Sequence, residues 1–100
     1  MAIEPLIDLS TIDLTRIALS ADRVGEMNPQ RGDMRQLDHV VYLNDAITIA
    51  VGVKEVKDDE FWVSGHIPGR PIYPGVLMIE AAAQLSSILY HLKATGSHFM

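Results

Sequence analysis

One imidazole and one carboxyl group, His66 and Glu80, stand near the two ends of a segment, Gly65 to Ala81, in which proline and glycine set the backbone. Pro68, Pro71 and Pro74 each restrict φ, while Gly65, Gly69 and Gly75 admit conformations that a side chain forbids. Such a segment holds its ends in a set geometry. A neutral imidazole can take up a proton near neutrality. A carboxyl group among Ile79, Ala81 and Ala83 is favoured in its proton-bearing form, because burial disfavours the charge. Together the two could serve as a general base and a general acid in a dry site.

Taken singly, neither residue is diagnostic. A histidine closing a strand commonly serves only as a hydrogen-bonding residue. A glutamate inside an apolar helix needs either a functional role or a partner, and Arg70 is the candidate for a salt bridge. Gln84, one helical turn beyond Glu80, could orient it or could bond backbone instead. Tyr73 and Met78 read as packing residues that could lie along a bound chain, and Phe61 and Trp62 as core. His39, His91 and His98 share no metal-ligand spacing with one another or with His66, so no metal site and no dissociable cofactor are expected.

The elements that must position this pair follow from periodicity. Ser10 and Asp13 resemble a helix start, and Leu14, Ile17, Ala18, Ala21 and Val24 recur at helical spacing until Gly25, which predicts an amphipathic helix. Pro29 to Asp33 reads as a loop. Val40 to Leu43 reads as a strand, Asn44-Asp45 as a turn, and Ile47, Ile49, Val51 and Val53 as a second, half-buried strand, so a hairpin is expected. Lys57 to Asp59 makes the next turn, and Phe61 to Val63 a third strand leading to His66. From Val76 to about Lys93 the chain reads as one long helix, apolar almost all round and therefore expected to be buried. A single polar stripe, Glu80, Gln84, Ser87 and His91, runs along one face of it.

Composition bounds the rest. A chain of 100 residues, 48% hydrophobic and 21% charged, is one compact domain of a size at which association often completes the core. There is no cysteine, which excludes disulfides and thiolate metal sites and is compatible with a cytoplasmic location. The first residues carry acidic side chains and no basic leader, unlike a secretion signal. No uninterrupted apolar run reaches the roughly 20 residues of a bilayer span, so no membrane insertion is expected. The net charge of -5 disfavours nucleic acid.

The stretch from Gly65 to Gln84, reading G-H-I-P-G-R-P-I-Y-P-G-V-L-M-I-E-A-A-A-Q, strongly resembles the signature of the beta-hydroxyacyl-acyl carrier protein dehydratases of fatty acid synthesis, the FabZ type. Ile67 stands where that pattern usually has Phe, and Tyr73 where it often has an apolar residue. Upstream the likeness thins. Glu26 to Arg31 resembles a segment ending Pro-His-Arg with Gln30 in place of His, Leu37 to Val40 resembles Val-Asp-Arg-Val, and Gly32, Asp33, Arg35 and Gln36 replace mostly apolar or aromatic residues. The resemblance implies an α+β hot-dog fold, with a long central helix wrapped by an antiparallel sheet. Members of the family are longer and carry further strands after the helix. Residues 1–100 are thus expected to form a single hot-dog dehydratase domain, truncated at the C-terminus.

The implied activity is dehydration of a (3R)-3-hydroxyacyl chain on acyl carrier protein to the trans-2-enoyl product. Such a reaction needs a base for the proton beside the thioester carbonyl, an acid for the leaving hydroxyl, and stabilisation of an enolate-like oxygen. By resemblance His66 is the base and Glu80 the acid, the latter acting directly or through a water. Backbone N–H groups of Gly75 and Val76 at the helix start would receive the carbonyl oxygen. Tyr73, Pro74, Ile67, Met78 and Gln84 would border the substrate, and Arg70 would meet the acidic carrier. The family also implies a homodimer, each site drawing His66 from one chain and Glu80 from the other, with a trimer of dimers as a larger assembly. Two alternatives stand beside this: a hot-dog hydratase or thioesterase acting on coenzyme A thioesters, and a non-catalytic acyl-binding subunit.

Overall fold

The computed structural model describes residues 6–95. His98 and the rest of the segment after Thr95 lie outside the described residues.

The first expected element does not form as a helix from Asp13. Asp8 caps a short 3-10 turn over Leu9–Thr11 by accepting from the Ser10 amide, and Asp13 accepts from both the Thr15 amide and its hydroxyl. These short side-chain bonds offer the backbone an alternative to the helical ladder, and here they prevail over apolar spacing. The helix begins only after Ser20, whose hydroxyl accepts from the Arg23 amide, and α1 spans Ala21–Met27. Its carbonyls are covered by two arginines from the following loop: Arg31 donates to Gly25 O at 2.7 Å, and Arg35 donates to Ala21 O.

The hairpin forms as expected. Strand β1, His39–Leu43, pairs antiparallel with β2, Ala50–Val53, to give a two-stranded sheet. The second strand starts later than its alternation predicts, because Asn44 draws residues 47–49 into the connecting loop. Its side-chain oxygen accepts from the amides of Thr48 and Ile49, and its backbone carbonyl from that of Ile47. The register slips between Val40 and Tyr42, a bulge that lets two successive residues, Val40 at 0% and Val41 at 1% exposure, both face inward. On its other edge β1 receives Leu19, which pairs with Val40.

No third strand forms over Phe61 to Val63. Glu60 gathers donors from Lys54 Nζ, the Lys57 amide and Trp62 Nε1, and the chain curls into consecutive turns. Trp62 is buried as expected, but Phe61 is left exposed.

The long helix α2 spans Gly75–Thr95. Leu77, Gln84, Ile88 and Leu92 form its buried stripe, and the last two join Val24, Met27, Leu37 and Val40 in the core. Gly52 of β2 lets α2 approach closely, for a Cβ there would sit 2.6 Å from Leu37 Cδ1 and 3.3 Å from Leu85 Cδ1. The helix is not buried all round. Val76 is 73% and Ile79 71% exposed, since two strands are narrower than the circumference of an apolar helix. By length and composition α2 is also apolar enough to cross a membrane, although charged and polar residues interrupt its apolar positions. Here it is a packing helix, its Gln84 bonded to the segment that leads into β1.

The architecture is thus α+β, a long helix packed on antiparallel strands, as the resemblance implies.

Candidate active site

The loop between Trp62 and α2 is built from two successive backbone closures, the second of which encloses a third. The amide of His66 donates to Trp62 O at 2.8 Å, and that of Ile72 donates back to His66 O at 2.8 Å. Inside this ring, Arg70 N donates to Ile67 O at 2.8 Å, with Pro68 and Gly69 as the central residues of the turn. Gly69 has φ of +77°, the value that a Pro-Gly turn of type II requires at its second central position. Spacing alone could suggest a stiff loop, and the structure supplies the bonds that make it one. The His66–Ile67 peptide is cis.

The imidazole of His66 is exposed, with Nδ1 lying 2.8 Å from the carbonyl oxygen of Ile72. A carbonyl can only accept, so Nδ1 carries the hydrogen, and the neutral ring keeps its lone pair on Nε2. Ile72 therefore holds His66 twice, through its own amide and through its own carbonyl.

Glu80 lies one turn into α2 and is partly buried. Its hydrogen-bond partner is Gln84, not Arg70. Gln84 Nε2 donates to Glu80 Oε2 at 2.8 Å, while the Arg70 side chain is exposed and pairs with no carboxylate among the described residues. The two possibilities for Gln84 are both realised, since it also bonds backbone. Its Oε1 accepts from the amides of Gln36 at 3.0 Å and Leu37 at 3.1 Å, and its Nε2 also donates to Met34 O at 2.8 Å. With two donors facing its oxygen, the orientation of the amide is determined. All of its hydrogen-bonding capacity is spent inside the protein, and at 1% exposure it has no surface for a ligand. Glu80 Oε2 is consequently an acceptor, and Oε1 has no hydrogen-bond partner among the described residues.

His66 and Glu80 make no hydrogen bond or ion pair with each other among the described residues. At the start of α2 the amides of Leu77 and Met78 donate to Pro74 O at 3.0 and 3.2 Å, leaving those of Gly75 and Val76 without an acceptor among the described residues. A Cβ at Gly75 would meet nothing within 4 Å, and both Gly75 and Val76 are exposed residues. Ile67 and Met78 are about half exposed, Pro74 is buried and Tyr73 is partly buried.

Tyr73 and Gln36 were not expected to belong together. The Tyr73 hydroxyl donates to Gln36 Oε1 at 2.7 Å and lies 3.3 Å from Leu77 O, and its ring packs against Trp62 with centroids 5.5 Å apart. Gln36, marked in the sequence only as a departure from the family pattern, is 1% exposed and also donates to Asp33 O at 2.8 Å. The available signal was paired: two polar residues at two positions where the pattern is mostly apolar. Burial, together with the charges of Glu60 and Asp38, pushes the Tyr73 phenol above its ordinary 10.0. Nearby, burial pushes the Glu60 carboxyl upward, but donation by Lys54, the Lys57 amide and Trp62 outweighs it and holds the group below its ordinary 4.5. Among the described residues no cluster of three or more His, Asp or Glu is placed to hold a metal ion.

Residues 28–99 match the FabA-like domain family. Three proteins named 3-hydroxyacyl-(acyl-carrier-protein) dehydratase FabZ are similar to the chain. That of Clostridium acetobutylicum is 43% identical over 72 residues, covering 72% of this chain and 50% of the relative. That of Rickettsia bellii is 40% identical over 87 residues, covering 87% and 54%, and that of Lactiplantibacillus plantarum is 42% identical over 71 residues, covering 71% and 48%. The chain spans about half the length of these relatives. With the motif from Gly65 to Gln84 inside the matched region, the chain belongs to the FabA-like domain family.

Proposed function

We propose that this protein removes water from a (3R)-3-hydroxyacyl thioester of acyl carrier protein, giving the trans-2-enoyl thioester, in fatty acid biosynthesis. The observation that carries the reading is the bond from His66 Nδ1–H to Ile72 O, which turns a basic Nε2 outward from a stiffened loop. The names of the similar proteins supply the substrate class.

His66 Nε2 takes the proton from C2 of the bound chain. The electron pair left behind is shared with the thioester oxygen, which faces the N–H groups of Gly75 and Val76. As the pair closes the C2–C3 double bond, the bond from C3 to the hydroxyl breaks, and Glu80 delivers the proton on Oε1 so that water departs. Return of the proton from the imidazolium to Glu80 restores both groups. Gln84 orients Glu80 rather than touching substrate, while Ile67, Tyr73, Pro74 and Met78 border the chain and Arg70 meets the acidic carrier. The working unit is a homodimer.

The test is turnover of 3-hydroxybutyryl and crotonyl thioesters on acyl carrier protein and on coenzyme A. Reaction on the carrier protein is expected, lowered at least ~10²-fold by His66→Ala and by Glu80→Gln, the usual cost of losing a general base or acid. Normal rates in both variants would reject the assignment. Reaction only on coenzyme A would favour a hydratase or thioesterase, and binding without turnover an acyl-binding subunit. Mixing the two inactive variants and recovering activity would show that one site draws on two chains.

A further inference from the structure

We infer that Tyr73 is a positioning residue for Glu80, acting at a distance through Gln36 and Gln84. This rests on the dehydratase reading for its consequence in turnover, but the linkage itself is drawn from contacts. Ile72 fixes the His66 ring, and the next residue, Tyr73, reaches the other way and donates to Gln36 Oε1 at 2.7 Å. The Gln36 side chain is thereby held at both ends, since its Nε2 donates to Asp33 O at 2.8 Å. Holding that side chain sets the backbone at residues 36 and 37, whose two amides converge on Gln84 Oε1. Gln84 in turn presents Nε2 to Glu80 Oε2 at 2.8 Å.

Each link is directional, and the middle of the chain is shut away from water, with Gln36 and Gln84 both 1% exposed. Apolar residues at 36 and 73 would fill the same space without directing the amides. The polar pair therefore gives one continuous strut from the loop that holds the imidazole to the carboxyl group on α2. Trp62 braces the Tyr73 ring from the side, and Lys54 Nζ lies 5.8 Å from its centroid.

The deciding comparison is Tyr73→Phe against the double variant Gln36→Leu/Tyr73→Phe, with exposed Tyr90→Phe as control. Tyr73→Phe strands a buried Gln36 oxygen, so it should unfold at a lower temperature, and the double variant should regain much of that loss. Positioning predicts that turnover does not return with stability. Both variants should show kcat lowered about tenfold with KM within about twofold, the pattern of a misplaced group rather than weakened binding. NMR signals of the Gln84 side-chain amide and the Glu80 carboxyl carbon should move in Tyr73→Phe and stay in Tyr90→Phe. Unmoved Gln84 and Glu80 signals, or a double variant whose kcat recovers together with its stability, would overturn the inference. Absence of turnover in the unsubstituted protein would defeat the dehydratase reading instead, and the NMR comparison would still decide the strut.

Discussion

Replacing Gln84 by methionine, a side chain of similar length with no comparable hydrogen bonds, should cost far more stability than a typical substitution. Of the groups it would strand, Met34 is exposed and Glu80 partly so, and water can reach both. The amides of Gln36 and Leu37 belong to residues exposed only 1% and 2%, and both donate to Gln84 Oε1. A buried donor without a partner costs about 1–3 kcal/mol, so the two together cost about 2–6 kcal/mol, centred near ~4. That is a large share of the ~5–15 kcal/mol that holds a domain folded. Urea unfolding monitored by the fluorescence of Trp62 provides the assay. With a slope of about 2 kcal/mol per molar, the midpoint should fall by about 2 M. A fall below about 0.5 M with unchanged slope would refute the argument, because it would mean that the amides of Gln36 and Leu37 find another acceptor at little cost.

Two further outcomes follow from other contacts. Glu60 titrates below its ordinary 4.5 in the folded chain, so the stability it lends is fully present above that value and is lost as pH falls through its lower folded value. Glu60→Gln should flatten that part of the acid limb of a melting-temperature profile between about pH 2 and 5, and an unchanged limb would count against the contribution of its donors. Gly52→Ala should destabilise by about 1–3 kcal/mol in the same urea assay, since the new methyl would lie 2.6 Å from Leu37 Cδ1 and Leu37 is buried. A neutral effect would show that the Leu37 side chain shifts aside at little cost.

The parts of this fold legible in the sequence are those governed by neighbours along the chain. The apolar run from Val76 and the alternation into Val53 predict α2 and the hairpin, and both form. The misses share a cause. Asp13 and Glu60 each collect nearby donors through a carboxylate, and such local bonds redirect a backbone whose apolar spacing promises a helix or a strand. Periodicity registers where oily residues recur but not where a short acidic side chain finds an amide. The motif marks His66 and Glu80 by type, yet the details that give them direction are long-range. The Gln84 bonds to residues 34, 36 and 37 span some fifty positions, and no pattern within α2 announces them. Only the loop closure at Ile72 lies near enough in sequence to be anticipated from proline and glycine placement.

The extra residue in β1 acts as a phase shift in the alternation of side chains. Everything before Val41 is half a period out of step with everything after it, and the segment before it includes the two amides that converge on α2. Loss or gain of one residue within 38–42 would therefore swing that upstream stretch to the opposite face of the sheet, whereas the same change in the loop at residues 45–48 would leave it where it is. A change of length at the hairpin tip should therefore be tolerated where the same change in its inner strand is not.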